Sequence, residues 1–523
     1  MQLILLQHDP IPGDFYGNAR NLAEMAIKAA VPFSAVNEPT LCIAPLFPLA
    51  GVPWESLMRV GGFYSRCREG ARLLAELLKN GPDMLISLTG AEVPLFMLLS
   101  HGEAHALMLD ENSMLHLPDG TCFFLPSPSN ERIKPDELPA TLVGKPLAIL
   151  LTSPVLFQPE KQCGLEVDRA ELARRYSLPV LAVCQYGATD SFVYAGQSTV
   201  HNEEGELLAR AKAFDQDSIA VSLNHGTANV TGLSIAPAPQ RVEALFRAAV
   251  LGVRDYARKC GVKGVLLGLS GGMDSALVAC IAAEAMGKDN VLGVLMPSRF
   301  SSEHSIKDAQ NLADNLGIRA KTIRITSIMD SFSEALEPQF RDLPAIPGDL
   351  TNDNIQPRIR GVLLMAFANR LGYAVLGTGN KSENAMGYCT LYGDTVGALE
   401  PIGDIYKTEV YDLAAWYNSV KGQEIIPQNV FIKAPSAELH PNQVDEDNLP
   451  PYPILDAILR ELLENAANPA MLSVPGVDEE VVRGVVRRLA TSEFKRHQCA
   501  PSLKMSECTL GIDWRMPAAA RYA

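Results

Sequence analysis

The stretch GVLLGLSGGMDSALVACIAAEAMG, residues 264–287, constrains the chain more than any other. GVLLGL is apolar throughout, as a central parallel strand buried on both faces must be. Ser270-Gly271-Gly272-Met273-Asp274-Ser275 follows, and then a run apolar nearly all round, which predicts a buried helix. Two glycines let the backbone approach an oxyanion, and the free amides of a helix start carry roughly half a positive charge. Ser270 and Ser275 add hydroxyl donors. Asp274 would repel a bare phosphate; it makes sense as a ligand of a divalent metal that bridges to phosphates. No Gly-Lys-Ser/Thr follows, so the loop is not of the Walker type.

At 523 residues the chain is too long for one core, so two or three domains are expected. A net charge of -15 argues against a general nucleic-acid binder and leaves room for a local basic pocket around phosphates. The ten cysteines form no CxxC pair and no metal spacing, which suits reduced thiols in a cytosol. The start, MQLILLQHDP, meets His8 and Asp9 too soon for a signal peptide, and no apolar run spans a membrane. A cytoplasmic protein without membrane or nucleic-acid partners is expected.

Residues 1–226 alternate strand-like runs (MQLILLQ, TLCIAPL, DMLISLTG, PLAILLTS, LPVLAVCQ) with helical spacing in NARNLAEMAIKAA and CREGARLLAELLKN. FVYAGQSTVHNEEGELLARA reads as a hairpin around NEEG. Residues 227–240 are small and proline-bearing, a linker texture. RVEALFRAAVLGVRDYARKCG then predicts the helix that opens a second α/β domain, 241–523.

The Gly268–Ser275 loop resembles that of enzymes that split ATP into AMP and pyrophosphate, a superfamily including NAD, GMP and asparagine synthetases and tRNA-thiolating enzymes. Further blocks decide among them: VLGVLMPSRFSSEHS, DNIQPRIRG, GTGNKSENAMGYCTLYGD, LEPIGDIYKTEVYDL, KAPSAELHPNQVDEDNLPPYP and EFKRHQ. In this order, over residues 241–515, they resemble the NAD synthetase family. The resemblance implies a doubly wound parallel sheet of the adenine-nucleotide α-hydrolase type. It implies that the carboxylate of nicotinic acid adenine dinucleotide attacks ATP, that pyrophosphate leaves on Mg²⁺, and that ammonia displaces AMP. Gly268, Leu269, Ser270, Gly271, Gly272, Met273, Asp274 and Ser275 would hold the ATP phosphates, with Thr378 touching ATP and Arg299, Lys381 and Lys407 as cations. Asp274 and Glu383 would hold Mg²⁺; Asn354, Glu383, Asp394 and Lys495 would contact the dinucleotide. No covalent side-chain nucleophile is needed. Read without the family, Asn354 would be a helix cap, Lys495 part of a solvated charge run, and Glu383 and Asp394 surface acids. A homodimer or higher homo-oligomer is also implied.

The first 225 residues resemble the nitrilase-type domain that supplies ammonia from glutamine in two-domain members, an α-β-β-α sandwich. APLFPLAGVP matches the family's FPELALTGYP, and CQYGATDSFVYAGQSTVHNEEGELLARAKAF its late hairpin. Such amidases need a glutamate base, a lysine and a cysteine nucleophile. On this match the glutamate position is Leu46 and the cysteine position Thr152, followed by Ser153-Pro154 in place of Glu-Asp. No lysine lies between Lys79 and Lys134, and LHLPDG at 115–120 lacks the family's lysine. Cys184 reads as a buried thiol in a strand, and Cys163 as a residue of a polar loop. The expectation is an ammonia-dependent NAD synthetase with a degenerate amidase domain, fed by free ammonium or by a separate amidase. The rivals are a glutamine-dependent enzyme with displaced catalytic groups, an RNA-modifying adenylating enzyme, and a scaffold dead in both halves.

Overall fold

The computed structural model describes residues 1–33, 40–53, 56–88, 95–126, 138–142, 144–224, 227–230 and 235–520. The chain divides into two compact units, Met1–Gln240 and Arg241–Ala523.

The first unit holds β1 (Gln2–Gln7), α1 (Phe15–Ala30), β2 (Thr40–Ile43), α2 (Phe63–Leu77), β3 (Asp83–Leu88), β4 (Leu95–Ser100) and β5 (Glu103–Leu107). Then come β6 (Met114–His116), β7 (Cys122–Phe124), β8 (Ala148–Leu151), α3 (Pro159–Tyr176), β9 (Val180–Ala182), β10 (Tyr186–Thr189) and β11 (Phe192–Ala195). β12 (Thr199–His201), β13 (Leu207–Arg210), β14 (Asp217–Asn224) and β15 (Thr227–Val230) complete it. One sheet runs β15-β14-β1-β2-β3-β4-β5, a second β13-β12-β9-β8-β7-β6, and β10 pairs with β11 in a two-stranded ladder. Strand β1 shows why its sequence is apolar without alternation. Leu3 and Leu5 face the second sheet, packing with Phe123, Leu150 and Leu181. Ile4 and Leu6 face α1 and α2, packing with Leu22 and Leu74. Across the second sheet, Leu172 and Ala173 of α3 cover Phe124, Ile149 and Val180. Helices thus flank two stacked sheets, the α-β-β-α sandwich that buries both faces of each.

Two readings change here. Cys163 lies on α3, not in a loop, because PEKQCGLEVDRAELARRY carries too weak an apolar stripe for its helix to show in the sequence. Residues 227–230 of the expected linker pair with β14 as an edge strand, and Ile235 bridges to Arg210; residues 225–226 and 231–234 lie outside the described residues, as does Lys134.

The second unit holds α4 (Arg241–Lys259), β16 (Val265–Gly268), α5 (Met273–Met286), β17 (Val291–Leu295), α6 (Glu303–Leu316), β18 (Arg319–Thr322), α7 (Thr326–Phe340), α8 (Thr351–Leu371) and β19 (Ala374–Val375). Helices α9 (Lys381–Met386), α10 (Lys407–Lys421), α11 (Gln428–Ile432), α12 (Tyr452–Leu463), α13 (Glu479–Thr491) and α14 (Glu493–Arg496) follow. The sheet is parallel throughout, in the order β18-β17-β16-β19. Ile359, Leu364 and Ala368 of α8 pack on Leu266, Val294 and Val375. Helix α5 is buried along most of its length, as its uniform apolarity requires. Because β17 lies on one side of β16 and β19 on the other, chain order reverses at β16, and the carboxyl ends of β16 and β19 part to leave a crevice. Among the described residues no helix is long and apolar enough to cross a membrane.

Candidate active site

A cavity of about 290 Å³ opens at this crevice. Its walls include residues 268–275, Thr378, Glu383, Asp394 and Lys407. The loop after β16 is shaped by Gly271, whose φ of +78° and approach to α6 leave no room for a side chain: a Cβ there would lie 2.2 Å from the Ser305 carbonyl oxygen. Gly272 N donates to Ser270 Oγ at 3.1 Å, Ser270 Oγ and Ser275 Oγ lie 2.9 Å apart, and Ser275 Oγ donates to Gly272 O at 3.1 Å. The loop's hydroxyls and the start of α5 thus converge on one wall, a surface suited to anionic oxygens.

At the start of α5 three charges meet. Lys407 Nζ, at the first residue of α10, lies 2.5 Å from Asp274 Oδ2 and 3.0 Å from Glu383 Oε1. Asn380 orients both acids' surroundings: its Nδ2 donates to Asp274 Oδ1 at 2.8 Å, and its Oδ1 accepts from Glu383 N at 3.0 Å, capping α9. Burial alone would push the Lys407 ammonium down, but the charges of Asp274 and Glu383 overcome it and hold it well above its usual range. Burial pushes the Glu383 carboxyl up, against the pull of Lys407. Two carboxylates therefore already share one cation. Among the described residues no group of three or more His, Cys, Asp or Glu could hold a metal ion unaided.

The register of this cluster is set from behind. Asp456 of α12, buried, accepts from Ser382 Oγ at 2.5 Å and from Thr408 N at 2.9 Å, while Ser382 Oγ accepts from Lys407 N at 2.9 Å. One carboxylate thus ties the residue before Glu383 to the residue after Lys407. Asp456→Ala is expected to lower turnover about tenfold or more with little change in KM for ATP, and Asp456→Asn to restore most of it; steady-state kinetics of both variants checks this.

Three of the dinucleotide candidates gather on one loop. Thr390 Oγ1 donates to Asn354 Oδ1 at 2.8 Å, Thr390 N to Asp394 Oδ1 at 2.6 Å, and Lys495 Nζ to the carbonyls of Gly387 and Cys389, each at 2.7 Å. Asn354 therefore does not cap α8, and Lys495 is not a merely solvated charge. Two cations stand apart from the cavity. Lys381 is fully buried, paired with Asp404 at 3.2 Å and Glu464 at 3.1 Å, so its charge is neutralised by these two carboxylates. Arg299 is exposed and paired with Asp330 of α7. Neither is among the cavity's lining residues, and nor are Asn354 and Lys495, which stand behind the loop they hold.

Sequence reasoning passed over Arg360, Glu400, Lys433 and Glu438, all of which line the cavity. They stood inside the quoted blocks DNIQPRIRG, LEPIGDIYKTEVYDL and KAPSAELHPNQVDEDNLPPYP without being singled out, because only the fold brings them to one cavity. Glu400, 1% exposed, accepts from Asn384 Nδ2 at 2.8 Å, and burial pushes its carboxyl up to about 8. The folded state thus favours the neutral acid. This contribution to stability is whole below the ordinary glutamate range and is lost as pH rises toward 8. Glu400→Gln is expected to gain stability relative to the parent by a few kcal/mol at pH 8 and by little at pH 5, as urea denaturation at the two values would read.

In the first unit, Leu46 and Thr152 adjoin: Leu46 N donates to Thr152 O at 2.8 Å, at the ends of β2 and β8. Leu46 is 1% exposed and packs with Phe15, Phe47, Val52, Phe63 and Tyr194. The position matched to a general base is thus filled by hydrocarbon. Cys184 is buried against Val155 and Leu165, and Cys163 is exposed on α3.

Residues 245–499 match the NAD synthase family model. The glutamine-dependent NAD(+) synthetase of Synechocystis sp. is 47% identical over 365 residues, covering 69% of this chain and 64% of that protein. The enzyme of the same name from Xanthomonas campestris pv. campestris is 39% identical, covering 72% of this chain and 68% of that protein. The chain thus spans about two thirds of the length of these relatives. The solved structure of glutamine-dependent NAD+ synthetase from Acinetobacter baumannii in complex with ADP superposes with a TM-score of 0.73 at 28% identity, covering 100% of this chain and 99% of that one. That from Cytophaga hutchinsonii superposes with a TM-score of 0.79 at 17% identity, a likeness of fold. With a two-unit fold, a glycine-shaped loop at the switch point and residues 245–499 matching the family model, the chain belongs to the NAD synthetase family, of the two-domain type.

Proposed function

We propose that the protein converts nicotinic acid adenine dinucleotide to NAD with ATP and ammonia, through an adenylated dinucleotide, releasing AMP and pyrophosphate. The observation that carries this reading is the Asp274–Lys407–Glu383 cluster joined to the Ser270 loop in one cavity. The loop amides and hydroxyls receive the triphosphate, and Lys407 supplies positive charge where negative charge develops on the leaving pyrophosphate. Asn354, Asp394 and Lys495 hold the loop that bounds the dinucleotide's side of the cavity. The donor set also fits Mg²⁺, since Asp274 and Glu383 converge on a single cation and such an ion takes its remaining ligands from substrate phosphates and water. When bound, the ion supplies Lewis-acid neutralisation of the phosphate oxygens.

Ammonia rather than glutamine is the nitrogen donor in this reading because the apolar packing around Leu46 removes the base an amidase needs. The test is product analysis: with ammonium, ATP and the dinucleotide acid, NAD, AMP and pyrophosphate should appear in equal amounts. ATP consumed without NAD, or ADP as product, would overturn the reading.

Self-association belongs to the same proposal. Helix α7 buries no residue, and Phe332, Phe340, Val362 and Met365 of α7 and α8 stay exposed. A second copy covering these side chains would remove that apolar surface from water. Val362→Asp is expected to shift the protein from dimer to monomer in sedimentation velocity, with the far-UV dichroism unchanged.

A further inference from the structure

Two thiols sit together at the cavity wall. Cys389 lines the cavity, and the Cys499 thiol lies close enough to feel that of Cys389. The chain segments that carry them meet at several points. A Cβ on Gly387 would lie 2.6 Å from Ser492 Oγ, one on Gly397 would lie 3.4 Å from Ala500 Cβ, and Glu400 bridges to Ser502. Lys495 Nζ ties the two again by donating to the Cys389 carbonyl, and Cys499 Sγ donates to the Lys495 carbonyl at 3.5 Å. Because the two segments touch on either side of the thiol pair, the sulfurs are brought into one neighbourhood by the fold itself.

We propose that Cys389 and Cys499 form a reversible oxidation site, closed to a disulfide by a peroxide and reopened by a dithiol. The cavity-facing Cys389 reacts first: its sulfur attacks the peroxide, the O–O bond breaks, and sulfenic acid and water form. The Cys499 sulfur then attacks that sulfenic sulfur, the S–O bond breaks, and a second water leaves with the Cys499 proton. Two thiols lose two electrons and two protons, and the peroxide is reduced to two waters. The neighbouring Cys389 thiol, together with burial, pushes the Cys499 thiol up, so Cys499 is not the sulfur that meets peroxide first. The bond would fasten the loop bearing Thr390 and Asp394 to the segment after α14, fixing one wall of the cavity.

Hydrogen peroxide applied to the reduced full-length chain, followed by alkylation, digestion and mass spectrometry, tests the site. The expected product joins the peptides of Cys389 and Cys499, lighter by two hydrogen atoms and reversed by dithiothreitol. Cys499→Ser is expected to leave a sulfenic acid at Cys389 that dimedone captures, whereas Cys389→Ser leaves Cys499 unmodified. Peroxide that oxidises the exposed Cys163 while no Cys389–Cys499 peptide forms would overturn the proposal, as would dimedone capture at Cys499 in Cys389→Ser. Peptide mapping reads only the thiols, so its result stands apart from that of the NAD-forming assay.

Discussion

Given glutamine in place of ammonium, the purified protein is expected to form NAD at under about 1% of the ammonium rate, with glutamate release no faster than in its absence. The reason lies in three positions acting as a unit. An amide is cleaved when a base takes the nucleophile's proton and donors hold the oxyanion, and losing one member of such a set costs about as much as losing all. Leu46 accepts no proton, and Thr152 offers a hydroxyl with no base beside it at the matched position. Restoring one group is therefore expected to fail. Leu46→Glu would put a carboxylate among Phe15, Phe63 and Tyr194, lowering stability by several kcal/mol without creating glutaminase activity. The curated relatives carry glutamine-dependent in their names, so this assay also separates the two donors directly: glutamine turnover comparable to ammonium, in protein free of contaminating glutaminase, would mean that the catalytic groups have moved elsewhere.

Replacing Lys407 by Met should have the largest effect in the second unit. Lys407 is nearly buried and is the shared partner of Asp274 and Glu383. Removing it leaves two acids facing each other without a counter-charge, and breaking a buried pair in this way costs about 3–5 kcal/mol. Turnover should fall by about 10² to 10³, the usual loss when a charge aimed at a developing anion is removed. The double variant Lys407→Met with Glu383→Gln separates the effects. It should regain most of the stability, because the repulsion is gone, and none of the activity. Recovery of both would assign Lys407 a structural role alone.

The phosphate loop was legible because its chemistry is local: strand, two glycines, Asp274 and a buried helix lie within 24 contiguous residues. β1, β2, β3, β8 and β9 were legible as short apolar runs, and α1, α2 and α4 from their spacing. Helix α3 was not, for it covers its sheet with few side chains such as Leu172 and Ala173. Arg299 and Lys381 show the complementary limit. As cations beside the right motifs they read as phosphate ligands, yet each is satisfied by acids distant in sequence, Asp330 for one and Asp404 with Glu464 for the other. Pairing across tens of residues leaves no trace in local composition.

What the sequence determined by itself is therefore the pattern carried by short contiguous motifs: a glycine-bearing loop with its acid between a strand and a buried helix, and the apolar strands. What the tertiary structure alone decided is which distant charges meet. Lys407 reaches Asp274 and Glu383 because β19 crosses to the far side of β16, bringing α9 and α10 over the loop, and Asp456 fixes their register from a fourth helix. Electrostatic partnership depends on distance in space, and only the folded chain sets that distance.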